Sequence, residues 1–445
     1  MRYEKYKQTG TKWITSIPVS WDMQKIGALF VQRKEKVSDK DFAPISVTKN
    51  GILPQLATAA KTDDGDNRKK VCVGDFVINS RSDRKGSCGV SDLEGSVSLI
   101  NIVLQPREQL SGKYAHYLLR NHLFSEEYYR NGRGIVADLW TTRYSEMKTI
   151  LLPVPPHAEQ DQIVRYLDWQ VSKINRLIAA KRKEIALLHE QHKRRISEAV
   201  LHGNDDGCCQ KDSGVEWIGM IPEHWSVIRC KYVFTERDER SIAGEEEHLS
   251  MSQKYGLVPD SKLDERRMLS ESYVGGKVCY KNDLVLNRLK AHLGVFALSP
   301  QKGVISPDYT VLIPNAERIL PTYGEAVLKN DLCRRELRIR VRGIIEGFWR
   351  LYTDDFNTIV IPLPPLKEQE QIMKHLSALN NKFTALKQRL EQEINILHEL
   401  RTRLISDVVT GQVDVRGIKV PDDEYINNEI TEEEFEEESE NNEEE

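Results

Sequence analysis

The sequence predicts an α+β fold built as a duplicate: two pseudo-repeated globular modules separated by a long antiparallel two-helix coiled coil. Three observations carry this. First, Trp13-Ile14-Thr15-Ser16-Ile17-Pro18-Val19-Ser20-Trp21 returns as Trp217-Ile218-Gly219-Met220-Ile221-Pro222-Glu223-His224-Trp225. Second, Leu152-Pro153-Val154-Pro155-Pro156 with Glu159-Gln160 returns as Ile361-Pro362-Leu363-Pro364-Pro365 with Glu368-Gln369. Third, after each Pro-Pro pair the pattern changes to a long apolar rhythm of threes and fours. A repeat this long exceeds the ~20–50 residues of a solenoid unit, so it marks a duplicated module.

In chain order, residues 1–155 form the first module. Val71-Cys72-Val73-Gly74-Asp75-Phe76-Val77-Ile78-Asn79 reads as a turn and a buried strand, and Asn101-Ile102-Val103-Leu104 as another. A short helix is expected over residues 114–130. Residues 156–203 form the first spacer helix. Pro156 suits the first helical position, Glu159 favours the positive end of the helix dipole, and Gly203 is a natural C-cap. Residues 204–214 are polar and Gly-rich and read as a linker. Residues 215–364 repeat the module, with Val278-Cys279-Tyr280-Lys281-Asn282-Asp283-Leu284-Val285-Leu286-Asn287 and Tyr309-Thr310-Val311-Leu312 as matching strands and a helix over 322–340. Residues 365–411 form the second spacer helix, closed by Gly411. Residues 412–445 form an acidic tail, read as disordered.

Each spacer helix has about 43 residues and spans ~65 Å, too long for one small core. Val164, Leu167, Val171, Ile174, Ile178, Ile185 and Leu188 mark the seam of the first. Ile372, Leu376, Leu379, Phe383, Leu386, Leu390, Leu397, Leu400 and Leu404 mark that of the second. This heptad rhythm, with matched lengths and caps, predicts mutual antiparallel pairing, which would put the modules at opposite ends of a rod. Packing of each helix on its own module is the competing reading. Lys181 and Glu393 interrupt the two seams near their middles. Antiparallel pairing therefore predicts a buried or half-buried Lys181–Glu393 (or Glu391) contact that sets register.

The net charge of −4 hides a division. Fourteen of the 68 acidic residues lie in 422–445, which holds no Lys or Arg, so the remainder carries 54 acidic against 64 basic residues. A basic body is the footprint of a nucleic-acid binder. The tail reads either as solubilising or as an acidic mimic of DNA, or a contact for a partner. The seven cysteines form no C-x-x-C and do not recur in the repeat, as expected of thiols in a reducing, cytoplasmic setting. No apolar run suits a membrane span, and the N-terminal residues do not read as a secretion signal.

The catalytic motifs sought are missing: no G-x-x-x-x-G-K-[ST] loop, H-E-x-x-H, G-x-S-x-G, dinucleotide fingerprint or N/D-P-P-Y/F tetrapeptide. Polar and basic loops at matching positions stand out instead. After the shared strand come Arg81, Ser82, Arg84 and Lys85 in one copy, and Asn287, Arg288, Lys290 and His292 in the other. Near the module ends Arg133-Gly134-Ile135 then Trp140 matches Arg342-Gly343-Ile344 then Trp349, with Arg143 and Arg350 close behind the two tryptophans. Lys49 and Asn50 have Gln253 and Lys254 as counterparts. Such side chains pair with phosphate or base edges, so these sixteen are the candidate DNA contacts. Singly, each also reads as a solvated surface residue, and Asn79 and Asn287 as turn formers that bond their own backbone. Trp140 and Trp349 read as packing anchors. Lys181-Arg182-Lys183 and Lys193-Arg194-Arg195 read as a solvated basic face or as contacts to DNA or acidic partners.

Over residues 10–411 the chain resembles the specificity subunit of type I restriction–modification systems. The likeness rests on the W-I-x-x-I-P-x-x-W box opening each half, the G-D-F-V and N-D-L-V strands, Gly303-Val304-Ile305-Ser306-Pro307-Asp308-Tyr309, and P-P-x-x-E-Q-x-x-I at both helix starts. The first half departs from it, with Gly95-Ser96-Val97-Ser98-Leu99-Ile100-Asn101 lacking Ser-Pro-x-Tyr, and the acidic tail lies outside it. The resemblance implies that each module is a target recognition domain reading half of a split double-stranded DNA sequence. It also implies a non-catalytic chain that recruits two methyltransferase subunits and ATP-dependent restriction subunits for defence against foreign DNA. S-adenosylmethionine, ATP and magnesium would then belong to those partners and no cofactor to this chain. A coiled-coil protein-interaction scaffold without DNA specificity, and an enzyme in its own right, are the alternative classes.

Overall fold

The computed structural model describes residues 2–56, 65–134, 140–204, 207–252, 255–262, 273–343 and 349–421. The tail read as disordered, 412–445, needs correction in its first part. Val415 is buried in the core of the first module, and Gln162 donates to Val415 O at 3.0 Å and Ile418 O at 2.7 Å. Residues 412–421 therefore pack on that module, while 422–445 lie outside the described residues. The chain forms two units. One takes the described residues up to Arg182 and those from Glu391 onward; the other is Lys183–Leu390.

Each unit is centred on a four-stranded antiparallel sheet. In the first unit the order is Cys88–Val90, Phe76–Asn79, Asn101–Pro106, Phe30–Arg33. In the second, Phe296–Leu298, Leu284–Asn287, Tyr309–Pro314 and Phe234–Arg237 repeat it. Alternation along the strand feeds two cores. Phe76 and Ile78 face the main core, while Val77 joins a smaller one with Ile45, Val71, Val97 and Val103. Leu284 and Leu286 behave likewise, with Val285 on the opposite face.

The turn before each strand is also shared. Asp75 is buried and binds Arg33 through both carboxylate oxygens, at 2.7 and 3.1 Å, while also accepting from Cys72 N at 2.9 Å. Asp283 does the same with Arg237, at 2.8 and 3.3 Å, and with Tyr280 N at 2.8 Å. The residue ahead of each carboxylate is left-handed: Gly74 at φ 87° and Asn282 at φ 70°.

The helices expected over 114–130 and 322–340 are each two helices. Gly112–Arg120 and His122–Arg130 meet at Asn121, and Pro321–Lys329 and Asp331–Arg340 at Asn330. Both asparagines are extended and cap the second helix, accepting from Leu123 N at 2.8 Å and Leu332 N at 2.9 Å. An Asn favours this capping geometry over a helix interior. The stretch read as a linker, 204–214, carries a strand: Gln210–Asp212 pairs with Met220–Pro222, as Tyr6–Gln8 pairs with Ser16–Pro18.

The long helices are His157–His202 and Leu366–Val409, and each contributes a stretch to both units. In the first unit Arg401 donates to Asn175 at 2.8 Å and Lys181 meets Glu393 at 3.0 Å, so rising numbers meet falling ones and the stretches run antiparallel. The Lys181–Glu393 contact expected from the sequence is thus present, with side chains 31% and 34% exposed. In the second unit His192 stacks on Phe383 at 4.2 Å, His189 meets the same ring edge-on, and His192 Nε2 lies 2.9 Å from Asn380 Oδ1.

Two seam assignments need correction. Leu386 is 39% and Leu400 51% exposed. Beyond Phe383 the more covered positions are Lys387, Leu390, Ile394, Leu397, Arg401 and Leu404. A step of four replaces a step of three, so that Lys387 and Arg401 take seam positions, where long methylene stems can cover apolar surface and the Arg401 guanidinium bonds Asn175 across the pair.

The duplicated motifs join module to helix. Glu159 accepts from Trp21 Nε1 at 2.9 Å and from the Tyr3 hydroxyl at 2.5 Å. Gln160 ties the first helical turn to Ser111 N, Gln109 O and Pro155 O. Gln369 does so with Leu320 N, Arg318 O and Pro364 O. Each module also closes on the end of the other long helix. The Tyr114 hydroxyl donates to Val409 O at 3.2 Å and the Tyr323 hydroxyl to Val200 O at 3.1 Å. A Cβ on Gly411 would lie 3.2 Å from Trp21, and one on Gly203 3.2 Å from Trp225, so these C-caps pack directly under the box tryptophans.

Candidate nucleic-acid interface

In the first unit, hydrogen bonds join two distant stretches into one exposed ledge. After Phe76–Asn79 the chain turns through Asn79, whose Oδ1 accepts from Arg81 N at 3.1 Å, into the short 3-10 turn Ser82–Arg84. The segment leading to helix Tyr144–Met147 returns beside it. Thr142 N donates to Ser80 O at 2.9 Å, Ser82 N to Trp140 O at 3.0 Å, and Trp140 N to Ser82 Oγ at 3.1 Å. Thr141 and Arg133 exchange backbone bonds at 3.1 and 3.2 Å. Ser82 is therefore held beside exposed Arg81, Arg133 and Arg143.

Local ion pairs temper the ledge. Arg81 Nε bonds Asp83 at 3.0 Å. Lys85 bonds Glu126, and that contact holds the Glu126 carboxyl below its ordinary range. Arg84 is exposed. Lys49 and Asn50 form the exposed tip between Ile45–Thr48 and Gly51–Pro54, where Lys49 O accepts from Arg120 at 2.6 Å.

The second unit repeats the arrangement with other side chains. Asn287 Oδ1 accepts from Leu289 N at 3.1 Å. Leu351 N donates to Arg288 O at 3.0 Å, and Arg342 and Arg350 exchange backbone bonds at 2.9 and 2.8 Å. Arg288 is half-buried, its Nε donating to Thr310 Oγ1 at 3.0 Å, whereas Lys290, Arg342 and Arg350 are exposed. Arg342 also pairs with Asp355 and stands 6.0 Å from the Tyr352 ring centre. Gln253 and Lys254 lie outside the described residues, as does the side chain of His292, whose backbone belongs to the turn Ala291–Leu293.

At Asn79 and Asn287 the turn-forming hydrogen bond is present: each side-chain oxygen accepts from its own backbone two residues on. Trp13, Trp21 and Trp225 are buried anchors, but Trp140 is 37% exposed on the ledge. Sequence reasoning also missed a basic helix face. Arg335 and Arg338 are exposed on Asp331–Arg340, and Arg334 packs where a Cβ on Gly294 would come within 3.1 Å. The signal was the Arg-Arg-x-x-Arg-x-Arg run. The matching helix, His122–Arg130, carries Glu126 and Glu127 instead. Both ledges thus present guanidinium and ammonium donors of the kind that meet phosphates and base edges, on one backbone plan with different side chains. Among the described residues, no helix is long and apolar enough to cross a membrane.

The family model described as "Type I restriction modification DNA specificity domain" matches residues 243–395. The chain is 22% identical over 406 residues to the "Putative type I restriction enzyme MjaX specificity subunit" of Methanocaldococcus jannaschii, covering 87% of each. It is 24% identical over 423 residues to the "Type I restriction enzyme MjaVIII specificity subunit" of the same organism, covering 90% of this chain and 95% of that one. A solved structure described under "Structural basis underlying complex assembly and conformational transition of the type I R-M system" has a TM-score of 0.58 at 16% identity, over 89% of this chain and 99% of that one. That likeness bears on the fold.

Proposed function

We infer the function from the family to which this chain belongs, the specificity subunits of type I restriction–modification systems. Each module reads one half of a split double-stranded DNA target through its ledge. The paired long helices set the gap between the half-sites and dock two methyltransferase subunits that modify adenine at N6, and restriction subunits where the full assembly forms. The chain itself is non-catalytic, and S-adenosylmethionine, ATP and magnesium are handled by the partners.

The observation that carries this reading is the ledge itself, built twice from the same backbone bonds and furnished with different basic and polar side chains. Phosphate contacts supply salt-sensitive affinity and register, and base-edge contacts supply sequence. Two modules on one chain make the second contact effectively intramolecular. Exposed apolar side chains on the long helices (Leu177, Leu187, Leu386, Ile396 and Leu400) support partner docking there.

The test is the N6-methyladenine map of the host genome with and without the gene. A split motif that disappears on deletion supports the reading and identifies the target. If no motif depends on the gene, DNA-target selection for methylation is the wrong function, and the scaffold alternative takes its place.

A further inference from the structure

In the second unit a thiol, an imidazole and a carboxylate stand in sequence. Cys208 Sγ lies 3.8 Å from His224 Nδ1, and His224 Nε2 lies 2.8 Å from Glu368 Oε2. They come from three separated stretches: the residues before Gln210–Asp212, the turn after Met220–Pro222, and the first turn of the second long helix.

The first module shows why this is no by-product of the repeat. By the strand register that matches Tyr6 with Gln210, its equivalents of Cys208 and His224 are Glu4 and Ser20. There Tyr3 and Trp21 hold Glu159. In the second copy Gly207 replaces the tyrosine. Glu368 bonds His224 instead, and the buried Trp225 Nε1 is without a hydrogen-bond partner among the described residues. The carboxylate has been redirected from the tryptophan to an imidazole that is 49% exposed.

The chemistry follows from the geometry. A carboxylate at Nε2 favours the tautomer with its proton there, which leaves the Nδ1 lone pair facing the sulfur. A base beside a thiol and oriented by a third group is the arrangement that activates a nucleophile. Four other cysteines, Cys88, Cys230, Cys279 and Cys333, are buried, and burial raises their thiols. Cys208 is only partly covered.

We propose that Cys208 is a modification site that exchanges with low-molecular-weight disulfides, with His224 as its proton acceptor and Glu368 as a positioning residue. The Cys208 proton passes to His224 Nδ1, and the sulfur attacks one sulfur of R–S–S–R. The old S–S bond breaks as the new Sγ–S bond forms, and the departing thiolate takes the proton back from the imidazolium. One disulfide replaces another, so the small disulfide is the sole oxidant.

Cys209, adjacent and exposed, is the internal comparison. The full chain is treated with oxidised glutathione at about pH 7.5, and adducts at each cysteine are followed by peptide mass spectrometry. To prevent transfer between neighbours, Cys208 is followed in Cys209→Ser and Cys209 in Cys208→Ser. Cys208 is expected to react roughly tenfold faster than Cys209, and His224→Gln is expected to remove most of that advantage. Equal rates for the two cysteines would overturn the proposal, as would a Cys208 rate indifferent to His224→Gln. Should His224→Gln disturb folding, the pH profiles of Cys208 in Cys209→Ser and of Cys209 in Cys208→Ser, both with His224 intact, decide. An unassisted thiol speeds up about tenfold per pH unit below a pKa near 8.5, whereas the assisted one changes far less between pH 6.5 and 8. A profile at Cys208 as steep as that at Cys209 also refutes it.

Discussion

At Gly74 and Asn282 the two modules solve one backbone problem with different residues. Both are left-handed, and a Cβ on Gly74 would meet nothing within 4 Å. The cost of Gly74→Ala is therefore conformational, about 1–2 kcal/mol. Gly74→Asn should cost clearly less, since Asn282 already serves at the equivalent place; denaturant unfolding of the two variants checks the order. On the ledges, Arg81→Ala and Arg288→Ala should each weaken binding by about 1–3 kcal/mol and relax one half-site only. Binding to DNA altered in either half separates that result from general misfolding, which would weaken both. Which loops carry basic groups was legible in the sequence. That Ser80 would bond Thr142, and Arg288 bond Leu351, was not, because a backbone hydrogen bond between distant loops has no side-chain signature.

The long helices show what a charge pattern reveals and what it hides. A lysine and a glutamate interrupting two apolar seams pointed to their own contact, because a charge facing a seam needs a partner. The inward positions around Leu386 and Leu400 were harder to read, since steps of three and four are equally heptad-like and Lys387 and Arg401 look polar on paper. With both side chains about a third exposed, a double-mutant cycle of Lys181→Ala and Glu393→Ala should give a coupling of about 0.2–1 kcal/mol, weakened by salt. His189 and His192 make a pH prediction. Desolvation lowers both imidazoles, and Lys193 and Lys387 lower His189 further. The unfolded chain then takes up protons first, at about pH 6.5. The stability from the neutral rings is complete above that pH and is lost as pH falls through it. Melting temperature should drop more between pH 7.5 and 5.5 in the natural chain than in His189→Gln with His192→Gln.

The repeat, the helix starts and the caps were all legible, and the structure explains why they stand out. The box tryptophans, Glu159, Gln160 and Gln369 lie at joints where several elements meet, so they mark architecture more than recognition. What the repeat did not disclose is that each module closes on the far end of the other helix, through Tyr114 on Val409 and Tyr323 on Val200. If helix length sets the half-site gap, inserting one heptad into each long helix should change the spacing of the methylated motif, read from the same genomic map. An unchanged motif would refute that ruler. The closure also has a consequence in time. Val408, Val409 and Val415 complete the core of the first module, yet they follow Arg182 by more than two hundred residues. At ~5–20 residues per second the ribosome needs roughly 10–50 s to deliver them. The half of the protein made first is thus the half finished last, and its core waits for those valines through about half of translation.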